Sequence, residues 1–346
     1  MIIRSKNEVI GDMKRVFASI SLPIFEVGSR LVHVDEELLF AAQIKIAETD
    51  VDMYVHYDDK YGLAGLQIAF ESRVPNEKVD VVCAFLDLLN GRTPFYHYSI
   101  CNCCNRLLVK SWLFVPPEQF PEEKFKRLYF NLIKNVSYCY PAILKLLIDE
   151  SHAQDIFKQL LDDHDCLMIT GQSTSKKGVK RALRDMESVF AYVKRPIFAK
   201  DRTDYGFYLG LTSDDHPESP VLRLKIIKEM DNGTFGIAMS HQMTVPDEKV
   251  SKVIRFLNML NRFEKIGHFF IHPDTRRVIL LNGIMTNEDH HKLDKAEFEF
   301  TLRSIMSFGF LAFSFVNELI TSAKSPEVIC ENYKKECCIR VAKNQN

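Results

Sequence analysis

Val74–Asn90 reads VPNEKVDVVCAFLDLLN, and Val245–Asn261 reads VPDEKVSKVIRFLNMLN. Ten of the 17 aligned positions are identical at a constant offset of 171 residues, where unrelated segments would share about one, so duplication accounts for the pair and chance does not. The register runs on without a gap through His97/His268, Ile100/Ile271 and Arg106/Arg277. Upstream, Pro23-Ile24-Phe25 is answered by Pro196-Ile197-Phe198, and downstream the apolar pattern after Phe125 is answered by the one after Phe298. The chain is a tandem repeat of a unit of about 140 residues.

Inside the quoted stretch, Pro75 and Glu77 suit a first helical turn, and Val79, Val82, Cys83, Leu86 and Leu89 recur at helical spacing. A helix that buries one face is expected from Pro75 onward. Before it come a helical segment at Val9–Ser19 and alternating segments at Phe25–His33, Leu38–Ile46, Val51–His56 and Ala64–Arg73, whose short connections favour an antiparallel meander. After it come a hairpin, Tyr96–Ile100 with Leu107–Val115, and a long helix with Phe125, Leu128, Leu132, Val136, Tyr140, Ile143 and Leu147 on one stripe. Pro141 is expected to kink or end that helix. The second copy repeats the order: a helix near Val179–Tyr192, strands, a helix from Pro246, a hairpin around Pro273-Asp274, and a helix over Leu293–Ile320.

This order, taken twice, resembles the type III secretion chaperone-like fold and in particular the YbjN-type proteins. The resemblance rests on the VPxEKVxxVxxFLxxLN helix followed by a hairpin. It implies an α+β fold in which each unit is an antiparallel sheet packed with helices, and a bacterial binding scaffold with a sensory or regulatory role. Residues 1–150 would form the first chaperone-like repeat, 151–178 a helical linker, 179–323 the second repeat, and 324–346 a C-terminal tail. Fusing two copies of a pairing unit would fix the pairing and free the two faces to diverge, leaving a monomer that acts as an internal pseudo-dimer, or a weak homodimer.

Composition sets the outer limits. At 46% apolar and 26% charged residues over 346 positions the chain is globular, which excludes disordered and collagen-like classes. The 45 basic and 46 acidic side chains nearly cancel, so no overall field points to nucleic acid. The start, MIIRSKNEVIGDMKRVF, lacks the apolar core of a secretory signal, and the most apolar run, Gly309–Val316, falls short of the roughly 18 residues a membrane crossing needs. No membrane association is expected. Nine cysteines, an odd number in a chain able to build a core without staples, suit a reducing cytoplasm.

Chemistry-bearing candidates are few. Cys101-Asn102-Cys103-Cys104 sits at the tip of the first hairpin, where Cys101, Cys103 and Cys104 are candidate metal ligands and Cys101 with Cys104 makes the C-x-x-C of a zinc knuckle. A second pair would have to come from Cys330, Cys337 or Cys338, and the second copy has His272-Pro273-Asp274-Thr275 at this turn, so a plain structural turn stands beside the metal or thiol reading. Three acid and histidine clusters, Asp162–Asp165, Asp214–His216 and Glu288–His291, read as solvated loops or helix starts. LMITGQSTSKKG at Leu167–Gly178 lacks the second glycine and the Lys-Ser/Thr pair of a phosphate loop. The basic run Lys176–Arg184 has no interleaved aromatics for base stacking. Hydrolase, zinc-protease and dinucleotide motifs are missing. Phe95, Tyr96, Tyr98 and Trp112 cluster on the first hairpin, and Trp112 stands where the second copy has Gly283. A partner groove near this hairpin is expected at those four residues. The reading that results is a non-enzymatic, cofactor-independent protein that binds a protein or peptide partner, with a metal or thiol function at the Cys101–Cys104 turn as the alternative.

Overall fold

In the computed structural model, residues 4–25, 38–46, 48–163, 184, 187–188, 197–203, 206–211, 222–230, 234–285 and 293–343 are described. The fold is α+β. Its elements, in chain order, are α1 (Lys6–Ser19), β1 (Ile24–Phe25), β2 (Leu38–Ile46), β3 (Thr49–Asp58), β4 (Leu63–Arg73), α2 (Val79–Asn90), β5 (His97–Ile100), β6 (Arg106–Phe114), α3 (Glu122–Ile148) and α4 (Ala153–Asp163). Then follow β7 (Ile197–Thr203), β8 (Gly206–Leu211), β9 (Leu222–Met230), β10 (Thr234–Thr244), α5 (Val250–Phe263), β11 (His268–Ile271), β12 (Arg277–Met285), α6 (Lys295–Thr321) and α7 (Pro326–Lys343). The helix expected over Val179–Tyr192 lies largely outside the described residues.

Among the described residues, two six-stranded antiparallel sheets carry the repeat. One is ordered β1-β2-β3-β4-β6-β5 and the other, in corresponding order, β7-β8-β9-β10-β12-β11. The likeness extends to irregularities: the β4/β6 ladder shifts register between Ala69 and Arg73, and the β10/β12 ladder between Ser240 and Thr244, 171 residues on. Contacts divide the chain into one unit of Met1–Leu86 with Phe95–Met168 and another of Asp87–Pro94 with Ile169–Asn346.

In the first unit α1 starts with a capping box, Ser5 accepting from the Glu8 N–H while Glu8 reaches back to the Ser5 N–H. Its apolar stripe of Val9, Met13, Val16 and Phe17 is buried. Phe17 meets Phe40, Phe125 and Tyr129 edge to face at 5.6, 5.7 and 6.0 Å between centroids, the arrangement favoured by the ring quadrupoles. Asp12, buried on the same helix, is held by Arg4 at 2.5 Å and by Arg15.

The long helix does not stop at Pro141: α3 runs to Ile148. Pro141 lacks the N–H of an ordinary helical turn, but its neighbours hold both sides. Tyr140 stacks on Phe70 at 4.2 Å, and Ile143 and Leu146 are buried.

The expected linker and tail are both structural helices. α4 packs into the first unit, with Phe157 edge to face with Phe85 at 6.1 Å and Lys145 bonded to Gln159 at 2.9 Å. α7 packs into the second, with Phe315 and Tyr333 edge to face at 5.7 Å. α3 and α6 each span 27 residues, 173 apart, and α4 and α7 begin 173 apart as well, so both helices belong to the repeat.

Among the described residues α6 is long and apolar enough, by length and composition, to cross a membrane; the whole helix meets a standard that Gly309–Val316 alone does not. It packs inside the second unit, where Phe313 meets Phe269 edge to face at 6.2 Å and a Cβ on Gly309 would fall 2.5 Å from the Met239 sulfur.

Candidate functional site

The first hairpin carries the aromatic cluster, and its placement corrects the expectation of a groove there. Phe95, Tyr96 and Tyr98 are buried core side chains. All four residues of β5 are buried, so alternation along this strand does not turn every second side chain to water. Tyr98 donates to Asn135 on α3, and burial pushes its hydroxyl pKa well up. Neighbouring Cys139 is also buried, which drives its thiol up to about 12 and leaves it inert as a nucleophile.

Trp112 is half-buried and lies over a glycine. The row His56–Gly65–Trp112 crosses three strands, and its counterpart is Ile227–Gly236–Gly283. A Cβ on Gly65 would sit 2.5 Å from the indole, and the His56 ring lies 5.9 Å away. Gly65→Ala must therefore displace the ring. We expect a loss of about 1–3 kcal/mol and an altered emission spectrum from Trp112, the single tryptophan. Unchanged emission and midpoint would remove the indole from over Gly65.

The thiol turn gathers the three cysteines that its spacing singles out. Cys101, Cys103 and Cys104 have their sulfur atoms within 4.8 Å of one another, and Cys101 Sγ lies 2.9 Å from Cys103 Sγ. Cys101 is buried, Cys104 half-buried and Cys103 exposed. Cys330, Cys337 and Cys338 sit on α7 of the second unit.

Within the second unit, Asn261 at the end of the repeat helix serves the neighbouring strand. Its amide donates to the Phe269 carbonyl at 2.8 Å and accepts from the Phe269 N–H at 2.6 Å, a two-point clamp on β11. Asp87 stands where the second copy has Asn258. It accepts from the Ile271 N–H at 3.2 Å through each oxygen. Burial pushes its carboxyl up to about 8, and the single backbone donor only partly opposes this. His268, whose Nε2 lies 2.7 Å from the Asn90 carbonyl, is pushed down to about 4 by burial. Glu264 accepts from Tyr333 on α7, and burial carries it up to about 7. These groups tie the last turn of α2 to β11, and Glu264 to α7, within this unit.

Antiparallel sheets of the kind expected here have edge strands to which a partner could add, and β1 lies at one such edge. Of the strand expected over Phe25–His33, Phe25 lies in β1 (Ile24–Phe25), which pairs with Ala42 and Ala41, and the rest falls outside the described residues. Beyond Ala42, Gln43–Ile46 of β2 has no strand partner on its outer side among the described residues. Gln43 and Lys45 are exposed there and Ile44 and Ile46 buried, a period-2 strand with one wet face. Phe25 beside it is 49% exposed. The only sequence signal was Pro23, which cannot donate to a ladder.

Of the remaining sequence candidates, Asp162 and Asp163 close α4. The other members of the three acid and histidine clusters, the Leu167–Gly178 stretch and the basic run up to Ala182 lie outside the described residues.

No family model matches the chain. No curated protein matches it either. A solved structure, the di-domain ARO/CYC BexL from the BE-7585A biosynthetic pathway, aligns with 92% of this chain and 95% of its own at 10% identity. Its TM-score is 0.15, too low to indicate a shared fold.

Proposed function

We propose that the protein is a non-enzymatic, chaperone-like regulatory protein of the type III secretion chaperone-like, YbjN-type class, acting in the cytoplasm. Its two duplicated units stand in one chain where such a protein would otherwise pair two copies, and its ligand is an extended protein segment. The observation that carries this reading is the open edge of β2. Gln43–Ile46 offers backbone N–H and C=O groups on a strand whose inner neighbours are already paired, and a strand added there gains main-chain hydrogen bonds whatever its sequence. Phe25, half-exposed at the end of β1, supplies an apolar contact for an alternate side chain of the incoming segment. Lys45, exposed on the same edge, guards against indiscriminate pairing.

The test is selection of peptides from a random display library on the immobilised full chain, followed by affinity measurement with Phe25→Lys. Extended, alternating apolar peptides should enrich, and the substitution should weaken them by roughly tenfold or more. A failure to enrich, or affinities indifferent to Phe25→Lys, would count against the reading.

A further inference from the structure

The duplicated hairpin provides an internal control for the thiol turn. In the first unit the Cys101 N–H donates to the Arg106 carbonyl at 2.8 Å and the Asn105 N–H to the Cys101 carbonyl at 2.7 Å. In the second unit the His272 N–H donates to the Arg277 carbonyl at 2.9 Å and the Arg276 N–H to the His272 carbonyl at 2.8 Å. Asn105 and Arg276 both adopt the left-handed conformation, at φ 54° and 52°. Each then receives a bond on its carbonyl, from the Val74 and Val245 N–H groups, at 2.8 Å in both cases. The second turn builds this same backbone from His272, Pro273, Asp274 and Thr275. No position in the turn needs a thiol, yet the first copy places three there.

Their geometry suits a soft cation. Three sulfurs within 4.8 Å of one another span the separation of about 3.8 Å that a tetrahedral ion with metal–sulfur bonds of about 2.3 Å imposes. The Cys101–Cys103 pair, at 2.9 Å, has to open by only about an ångström. Cys101 is anchored at the buried end of β5, whereas Cys103 is exposed, so one ligand is fixed and the ion enters from solvent. Thiolate sulfur selects zinc or cuprous copper over hard cations.

We propose that Cys101, Cys103 and Cys104 form a three-thiolate site for a thiophilic d10 cation, Zn2+ or Cu+. Each thiol releases its proton to solvent as its sulfur bonds the ion, so occupancy rises with pH. Cu+ would be complete with three sulfurs; Zn2+ would keep a fourth position for water or an outside ligand. The site is independent of the β2 edge, and either can fail without the other.

The experiment uses the full chain, reduced and desalted under anaerobic conditions and loaded in separate arms with Zn2+ or with Cu+. After a chelator wash, the metal per chain is measured by elemental analysis and native mass spectrometry. One equivalent should be retained in at least one arm, and that arm identifies the ion. Cys103→Ser with Cys104→Ser should retain less than about a tenth of it. Both positions carry polar residues in the second turn, so this variant should fold. Cys337→Ser with Cys338→Ser should bind as the parent does. Retention in neither arm, or equal retention by the Cys103/Cys104 variant, would overturn the proposal.

Discussion

Replacing Asp87 by Asn stabilises the protein, and the gain grows with pH. Asp87 is held as a buried carboxyl titrating at about 8 against an ordinary 3.8, with desolvation the cause. As pH rises above about 4 the unfolded chain gives up this proton while the folded chain keeps it. The unfolded state then binds fewer protons, and stability falls by up to about 1.4 kcal/mol per pH unit until about pH 8. Asn does not ionise. Its side-chain oxygen still accepts from the Ile271 N–H, and the second copy already has Asn258 at the equivalent place. The variant should gain at most about 4 kcal/mol at pH 7 and almost nothing at pH 4. Glu264, raised to about 7, pulls in the same direction between about pH 4.5 and 7. His268, lowered to about 4, pulls the other way, its contribution lost as pH falls from about 6.5 to 4. Both are common to the two proteins. Thermal or urea unfolding at several pH values checks the difference, and a variant less stable than the parent at pH 8 would contradict the buried-carboxyl account.

The second large effect is expected from Phe125→Ala. Phe125 opens the apolar stripe of α3 and is fully buried, with Phe17 of α1 at 5.7 Å and Phe120 at 5.3 Å between ring centroids. Truncation removes the ring's burial and leaves a cavity bounded by elements that close in only partly, at a cost of about 3–5 kcal/mol. Because Trp112 is the single tryptophan and lies in the first unit, its emission reports that unit directly. The urea midpoint read by fluorescence should fall by an amount matching that loss, with α1 released earliest because Phe17 is its main aromatic anchor. A midpoint within experimental error of the parent would mean that Phe125 is not the joint between α1 and α3.

Much of the architecture was legible because hydrophobic period and repeat register are local properties of the chain. Pro75 and the 3.6-residue spacing after it mark α2, the alternation at Leu38–Ile46 marks β2, and the duplication predicts that the second copy repeats the first's order of elements. The misreadings share a cause, which is that burial depends on what comes to lie over an element. The polar run GQSTSKKG makes residues 151–178 read as a linker with a helix marked by Ile156, Leu160 and Leu161, yet that helix packs into the first unit, where Phe157 finds Phe85. Residues 324–346, expected as a tail, carry α7, which has no strong apolar face but buries Ile329, Cys330 and Tyr333.

Tyr96, Tyr98 and Phe95 differ from their partners in the second copy, and divergence was read as surface. Their burial shows that a duplicated core can diverge as freely as a face. The thiol turn was half legible. Cys101, Cys103 and Cys104 are legible as candidate ligands from their spacing, whereas the 2.9 Å between Cys101 Sγ and Cys103 Sγ follows from how the turn folds. Which edge stays open is marked in the sequence by Pro23 alone, since a missing neighbour leaves no pattern of its own.

Hydrogen exchange read by mass spectrometry, on the full chain with and without a selected peptide, tests the binding-scaffold reading most directly. Amides over Gln43–Ile46 should exchange more slowly in the complex, because an added strand bonds the backbone groups that β1 leaves open. Unchanged exchange over those residues, with protection confined to other parts of the chain, would contradict it.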